Sequence, residues 1–104
     1  MKTVVKENAN GGKGQVVVKY ILDDNELNAK CKMFAEVTIA PGYHEHHGES
    51  ETYYIIKGQG EYDDNGTKRP VTVGDKTFTP DGWGHGIANT GDEDLVFMAL
   101  IQLD

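Results

Sequence analysis

Turn-forming residues divide this 104-residue chain into short apolar runs at intervals of roughly eight to twelve residues, and no run between them keeps a helical period. That punctuation admits a fold built from sheets and excludes one built from helices. The longest helical candidate is Asp23 to Lys32. Only Leu22, Leu27 and Cys31 fall near a 3.6-residue spacing there, and Asn25 and Asn28 weaken it. A turn with at most one short helical segment is expected.

The strands read from residue type. Val16 to Leu22 is β-branched and aromatic; Lys32 to Ile39 packs through Phe34, Val37 and Ile39; Thr52 to Lys57 stops at Gly58. Asp63-Asp64-Asn65-Gly66 is the clearest hairpin signal, since Asn and Gly both tolerate positive φ. Val71 to Val73 and Lys76 to Thr79 are short strands. Leu95 to Leu103 is almost continuously apolar, which predicts burial on both faces. Residues 1–15, with three glycines between Asn8 and Gly14, read as a flexible lead-in to a single all-β domain over 16–104. One barrel or sandwich of this size buries a sufficient core without disulfides.

Composition narrows the partners. Ten Lys and Arg against 17 Asp and Glu give a formal charge of −7, so a phosphate backbone would be repelled, and no basic stripe offsets that. Nucleic acid is not an expected partner, and no apolar run approaches membrane-spanning length. Lone Cys31 has no internal disulfide partner, and the N-terminus lacks an export-like apolar segment. The expected location is the cytoplasm. Val16 to Leu22 and Leu95 to Leu103 exceed what a thin barrel needs, which points to a homodimer.

The four histidines occupy two segments, His44-Glu45-His46-His47 and Gly82-Trp83-Gly84-His85. Residues two apart on a strand share a face, so His44 and His46 are expected to share one ion. Glu51 is an odd five residues past His46, and a turn through His47 to Ser50 is needed to bring it to the same interior. His85 arrives from a distant strand, with glycines at 82, 84 and 86 permitting close approach. His44, His46, Glu51 and His85 then form an N₃O set suited to one divalent Mn, Fe, Co, Ni or Zn ion, with positions open to a ligand. Adjacent to His46, His47 points the other way and reads as a turn residue. Glu49 and Tyr53 are the candidate acid–base groups, with Lys57 a weaker one; the residue type and loop position of Glu49 favour a solvated loop carboxylate over that role. Ile55 is expected in the core, and Trp83 on a pocket wall or rim.

Together these segments resemble the two signature motifs of the cupin superfamily. His44-x-His46, four residues, Glu51, six residues and Gly58 match the first; Gly74, Pro80, Gly82, His85 and Asn89 match the second, G-x₅-P-x-G-x₂-H-x₃-N. The resemblance implies a small jelly-roll barrel, usually dimeric, with His44, His46, Glu51 and His85 as metal ligands. One departure stands out: Gly42 precedes His44 by two residues where the family has six, as though a loop were about four residues shorter. The implied activity is Lewis-acid chemistry on a small oxygen-rich molecule (a sugar derivative, hydroxy or keto acid, or dicarboxylate) by an isomerase, decarboxylase or lyase, or dioxygenase. The alternative is a binding or sensing module that grips its ligand through the metal without chemistry.

Overall fold

The computed structural model describes residues 1–8, 12 and 14–103. Ten strands follow one another: β1 (Thr3–Glu7), β2 (Gln15–Tyr20), β3 (Cys31–Ile39), β4 (His44–His47), β5 (Glu51–Lys57), β6 (Gln59–Asp64), β7 (Thr67–Thr72), β8 (Lys76–Thr79), β9 (His85–Asn89) and β10 (Leu95–Gln102). There is no helix among the described residues, and the segment from Asp23 to Lys32 is held by turns, with the Glu26 amide donating to the Asp23 carbonyl.

All pairings are antiparallel and form two sheets. One has six strands in the order β1-β2-β3-β10-β5-β8; the other has four, β4-β9-β6-β7. The fold is an all-β cupin-type sandwich closed around one core. Its inner face on the large sheet is mostly hydrocarbon, with Val16, Ala35, Val37, Ile39, Ile55, Leu95, Phe97 and Ala99 each at most 4% exposed, and it turns polar at β5 and β8 through Glu51, Tyr53, Thr77 and Thr79. These alternate with outward residues along each strand, the period-two pattern of a sheet with one face covered.

The Asp63 to Gly66 turn forms as expected. Asn65 and Gly66 have φ of 50° and 100°, and the Gly66 amide donates to Asp63 Oδ1 at 2.8 Å. Two strands differ from their sequence reading. The lead-in over 1–15 contains β1, because Thr3 to Glu7 pairs in register with Gln15 to Lys19; residues 9–11 and 13 lie outside the described residues. In β10, only Leu95, Phe97, Ala99 and Ile101 are buried, while Val96, Met98 and Leu100 are half-buried on the outer face. Its apolar run reflects a central strand whose outer face is crowded by neighbours, with no second layer from the described residues of the same chain over it.

Asn89 of the second motif pins a corner of the barrel. Its Nδ2 donates to the carbonyls of Ile39 (2.9 Å) and Glu93 (2.8 Å), and its Oδ1 accepts from the Gly91 amide. One side chain thereby satisfies backbone groups of three residues in two segments, a structural task that fixes where β9 ends.

Candidate functional site

The chain passes from the small sheet to the large one through Gly48, Glu49 and Ser50, so β4 and β5 face each other across the interior. Four ionisable side chains meet there: Glu45 and His47 from β4, Glu51 from β5 and His85 from β9. Glu45, Glu51 and His85 are 6%, 3% and 2% exposed.

Glu51 is the anchor. His85 Nε2 and the Tyr53 hydroxyl both bond its Oε1, each at 3.0 Å. Glu45 is held by the Tyr43 hydroxyl, which donates to Oε2, and His47 Nε2 lies 2.9 Å from its Oε1. The His47 and His85 rings stack with centroids 5.5 Å apart, and His47 Nδ1 stands 4.0 Å from Glu51 Oε1. His85 Nδ1 is buried with no hydrogen-bond partner.

The electrostatics follow from this packing. Burial alone would lower the His47 pKa; the Glu45 hydrogen bond and the charges of Glu51, Glu45 and Glu49 outweigh it and hold the pKa above 6.5. Burial, and then neighbouring Glu51, push Tyr53 well above its usual range. Burial and Glu45 do the same to Tyr43. Both phenols are hydrogen-bond donors at physiological pH.

Of the residues expected to hold a metal, Glu51 and His85 are brought together, whereas His44 and His46 lie on the opposite side of β4. Register makes this plain. Glu45 pairs with Ile87 and His47 with His85, both interior; His46 pairs with Gly86 and His44 with Ala88 on the outer face. His46 is exposed, its ring resting where a Gly86 side chain would be. A Cβ there would stand 2.7 Å from His46 Nδ1 and 2.6 Å from the Glu45 carbonyl. The two outer imidazoles border a shallow trough with Glu61, Asp63 and Lys68.

The physical reason is Tyr43. Fully buried and bonded to Glu45, it sets positions 43, 45 and 47 inward. The sequence reading missed Glu45 and His47. Two signals pointed to them: the parity of Tyr43, and the even spacing of four from His47 to Glu51. Of the candidate acid–base groups, Tyr53 is buried and committed to Glu51, while Glu49 lines the cavity and pairs with Lys32 at its exposed edge. That contact raises the Lys32 pKa. Trp83 is 53% exposed on its loop, and Ile55 is fully buried as expected.

In donor chemistry, two imidazoles and two carboxylates suit a divalent transition ion. A low-dielectric interior holding two carboxylates favours a cation there. As placed, these side chains are bonded to one another; among the described residues no three His, Cys, Asp or Glu groups are arranged around a common metal position.

A two-sheet barrel with a His–Glu cluster between its walls is the architecture that the second motif implied. Residues 35–101 match the model of the cupin domain family, and the chain belongs to that family. It is 42% identical over 100 residues to the oxalate-binding protein of Thermotoga maritima, covering 92% of this chain and 83% of that one. A crystal structure from Thermotoga maritima, described as a predicted oxalate decarboxylase, superposes with a TM-score of 0.93 at 38% identity, over 100% of this chain and 94% of that one. A glucose-6-phosphate isomerase of Thermococcus onnurineus is 31% identical over 98 residues, covering 78% of this chain and 49% of the isomerase.

Proposed function

We propose that this cupin binds a small carboxylate-bearing molecule inside the barrel, and that a divalent transition metal mediates the binding. One observation carries the reading. The cavity's charged interior groups are Glu45, His47 and Glu51, and its two lysines, Lys6 and Lys32, are exposed. A carboxylate ligand entering that space meets two buried carboxylates with no lysine or arginine buried against them, and the imidazoles there are already paired with those carboxylates, so it needs a further cation between. Likeness to an oxalate-binding protein supports the ligand class.

Glu45, His47, Glu51 and His85 would hold the metal. The ion would supply Lewis-acid stabilisation of negative charge on the ligand's oxygens. Around it, Tyr53 fixes the Glu51 carboxylate and Tyr43 fixes Glu45, each by a donated hydrogen bond. Such bonds orient ligating groups. A catalytic version of the site would use Glu49, the least buried carboxylate of the cavity, which reaches Lys32 at the solvent edge and lies 3.9 Å from His47 Nδ1, to move a proton. The test is metal content of protein purified without chelator, followed by calorimetric titration with oxalate. About one ion per chain and metal-dependent oxalate binding are expected. Equal oxalate affinity after chelation would refute the metal's role.

The same reading includes a homodimer formed through the outer face of the large sheet. Val96, Met98 and Leu100 run down its centre, flanked by Phe34, Tyr54, Ile56 and Phe78; Tyr54 and Phe78 are 49% and 52% exposed. One cross-strand row reads Glu36, Met98, Tyr54, Lys76. A twofold axis between β10 and β5 lays Glu36 over the second copy's Lys76 and Met98 over its Tyr54. Light scattering should give a dimer mass for the wild type and a monomer for Met98→Lys. Glu36→Lys should weaken the dimer, and adding Lys76→Glu should restore it. A monomeric wild type at micromolar concentration overturns the assignment.

A further inference from the structure

The cavity that carries the charged cluster has a second wall of opposite character. It encloses about 280 Å³, near the lower end of volumes that hold small ligands, about 300 Å³. Glu45, His47, Glu51 and Tyr53 form one side. Across from β4, the large sheet contributes Val18, Val37, Met33, Phe97 and Ile101, which offer carbon and one thioether; its hydrogen-bonding side chains on that side, Tyr20, Lys6 and Lys32, are half-buried or exposed. Register explains their contiguity: Val18 pairs with Val37, Val37 with Phe97, and Met33 with Ile101. Ile101 in turn pairs with Glu51, so the apolar wall begins where the charged cluster ends.

Oxalate has no carbon outside its two carboxyl groups. Placed at the charged end, it would leave this wall against water, and the wall would add nothing to its affinity. A ligand with the same head and a short hydrocarbon tail would cover it. Resting on the carboxylate-binding reading above, we propose that the ligand is amphiphilic: an oxygen-rich anionic head at the His47 and Glu51 end of the cavity, with a compact branched-alkyl or aryl tail against Val18, Val37, Phe97 and Ile101. Acids with a 2-oxo or 2-hydroxy head and an apolar side chain are the class that fits. Each methylene buried tightens binding by about fourfold, from roughly 0.8 kcal/mol per group.

The test is calorimetric titration of the metal-loaded full-length protein with oxalate, pyruvate, 4-methyl-2-oxopentanoate and phenylpyruvate. The two tailed acids are expected to bind at least about tenfold more tightly than pyruvate, which shares their head group. Val18→Thr, which puts a hydroxyl on the wall with little change of shape, and Ile101→Thr, which also removes one methyl group, should cut that preference several-fold with a smaller effect on pyruvate. Thermal melts of each variant show whether it is folded, and the wild-type series stands without them. Pyruvate or oxalate binding as tightly as the tailed acids would overturn the inference while leaving the carboxylate site intact. Binding of none of the four would remove the carboxylate reading itself, and this inference with it.

Discussion

The two walls of the barrel are built from the same kind of strand and do different work. The large sheet turns hydrocarbon inward along β2, β3 and β10, from Val16 through Ile39, Phe97 and Ala99, and carries buried polar groups only at its β5 and β8 end, with Glu51, Tyr53, Thr77 and Thr79. The small sheet turns in Tyr43, Glu45, His85 and Asn89 beside Ile87 and Tyr62. The comparison shows where stability and chemistry reside. Apolar burial on one wall is large enough to hold the other wall's ionisable groups in a dry interior, where each would be unfavourable alone. Substitutions on the two walls should therefore separate folding from ligand chemistry, and the largest effect should fall on the hydrocarbon side. Phe97→Ala empties a fully buried site and should cost about 3–5 kcal/mol. Urea denaturation would measure it. A loss below about 1 kcal/mol would break the contrast, because the wall would then not be the main source of stability.

His85→Ala probes the opposite side. It should abolish metal uptake while lowering the stability of the metal-free protein by a smaller amount, about 1–3 kcal/mol, from lost packing on His47 and the loss of one of the two hydrogen bonds to Glu51 Oε1. Elemental analysis and denaturation on the same sample report both. Retained metal at wild-type stoichiometry would remove His85 from the ligand set. Glu45→Ala with His47→Ala comes next: metal content should fall several-fold, with Glu51 and His85 left as a weak pair.

The same contrast explains what could be read in advance. Strands of the hydrocarbon wall announce themselves, since Val16-Val17-Val18 and Phe34 to Ile39 have the residue types and alternation of covered strands. The hairpin at Asn65-Gly66 needs nothing beyond two residues that accept positive φ. His85 and Glu51 were legible too, each lying in a spaced motif. The parity of β4 was not. In His44-Glu45-His46-His47 every residue is polar, so hydrophobic alternation, the signal that tells the inner face from the outer one, is missing from the strand itself. It survives only in Tyr43, one residue outside. Nor was β1 legible: Thr3 to Glu7 is mostly exposed and owes its strand form to pairing with β2, a long-range contact that local pattern does not encode.

The smallest expected effect is the sharpest test of that parity. His44→Ala with His46→Ala removes two imidazoles from the outer face of β4, where their rings stand 6.1 Å apart and edge-on. Exposed positions free of buried partners usually change stability by no more than about 0.5 kcal/mol, and these two lie across the strand from the cluster. Metal content and melting temperature should both stay near wild type, in contrast to the Glu45 and His47 pair. The reverse result, metal lost with His44 and His46 but kept without Glu45 and His47, would mean that β4 sits one residue out of this register. A one-residue slip moves every side chain of a strand to the other face. It would also take Tyr43 out of the core and separate its hydroxyl from Glu45, so Tyr43→Phe would then leave stability unchanged. With β4 as described, Tyr43→Phe leaves the buried Glu45 carboxylate short of a donor and should cost about 1–3 kcal/mol. Measured together, the three variants decide which side of a four-residue polar strand faces the ligand.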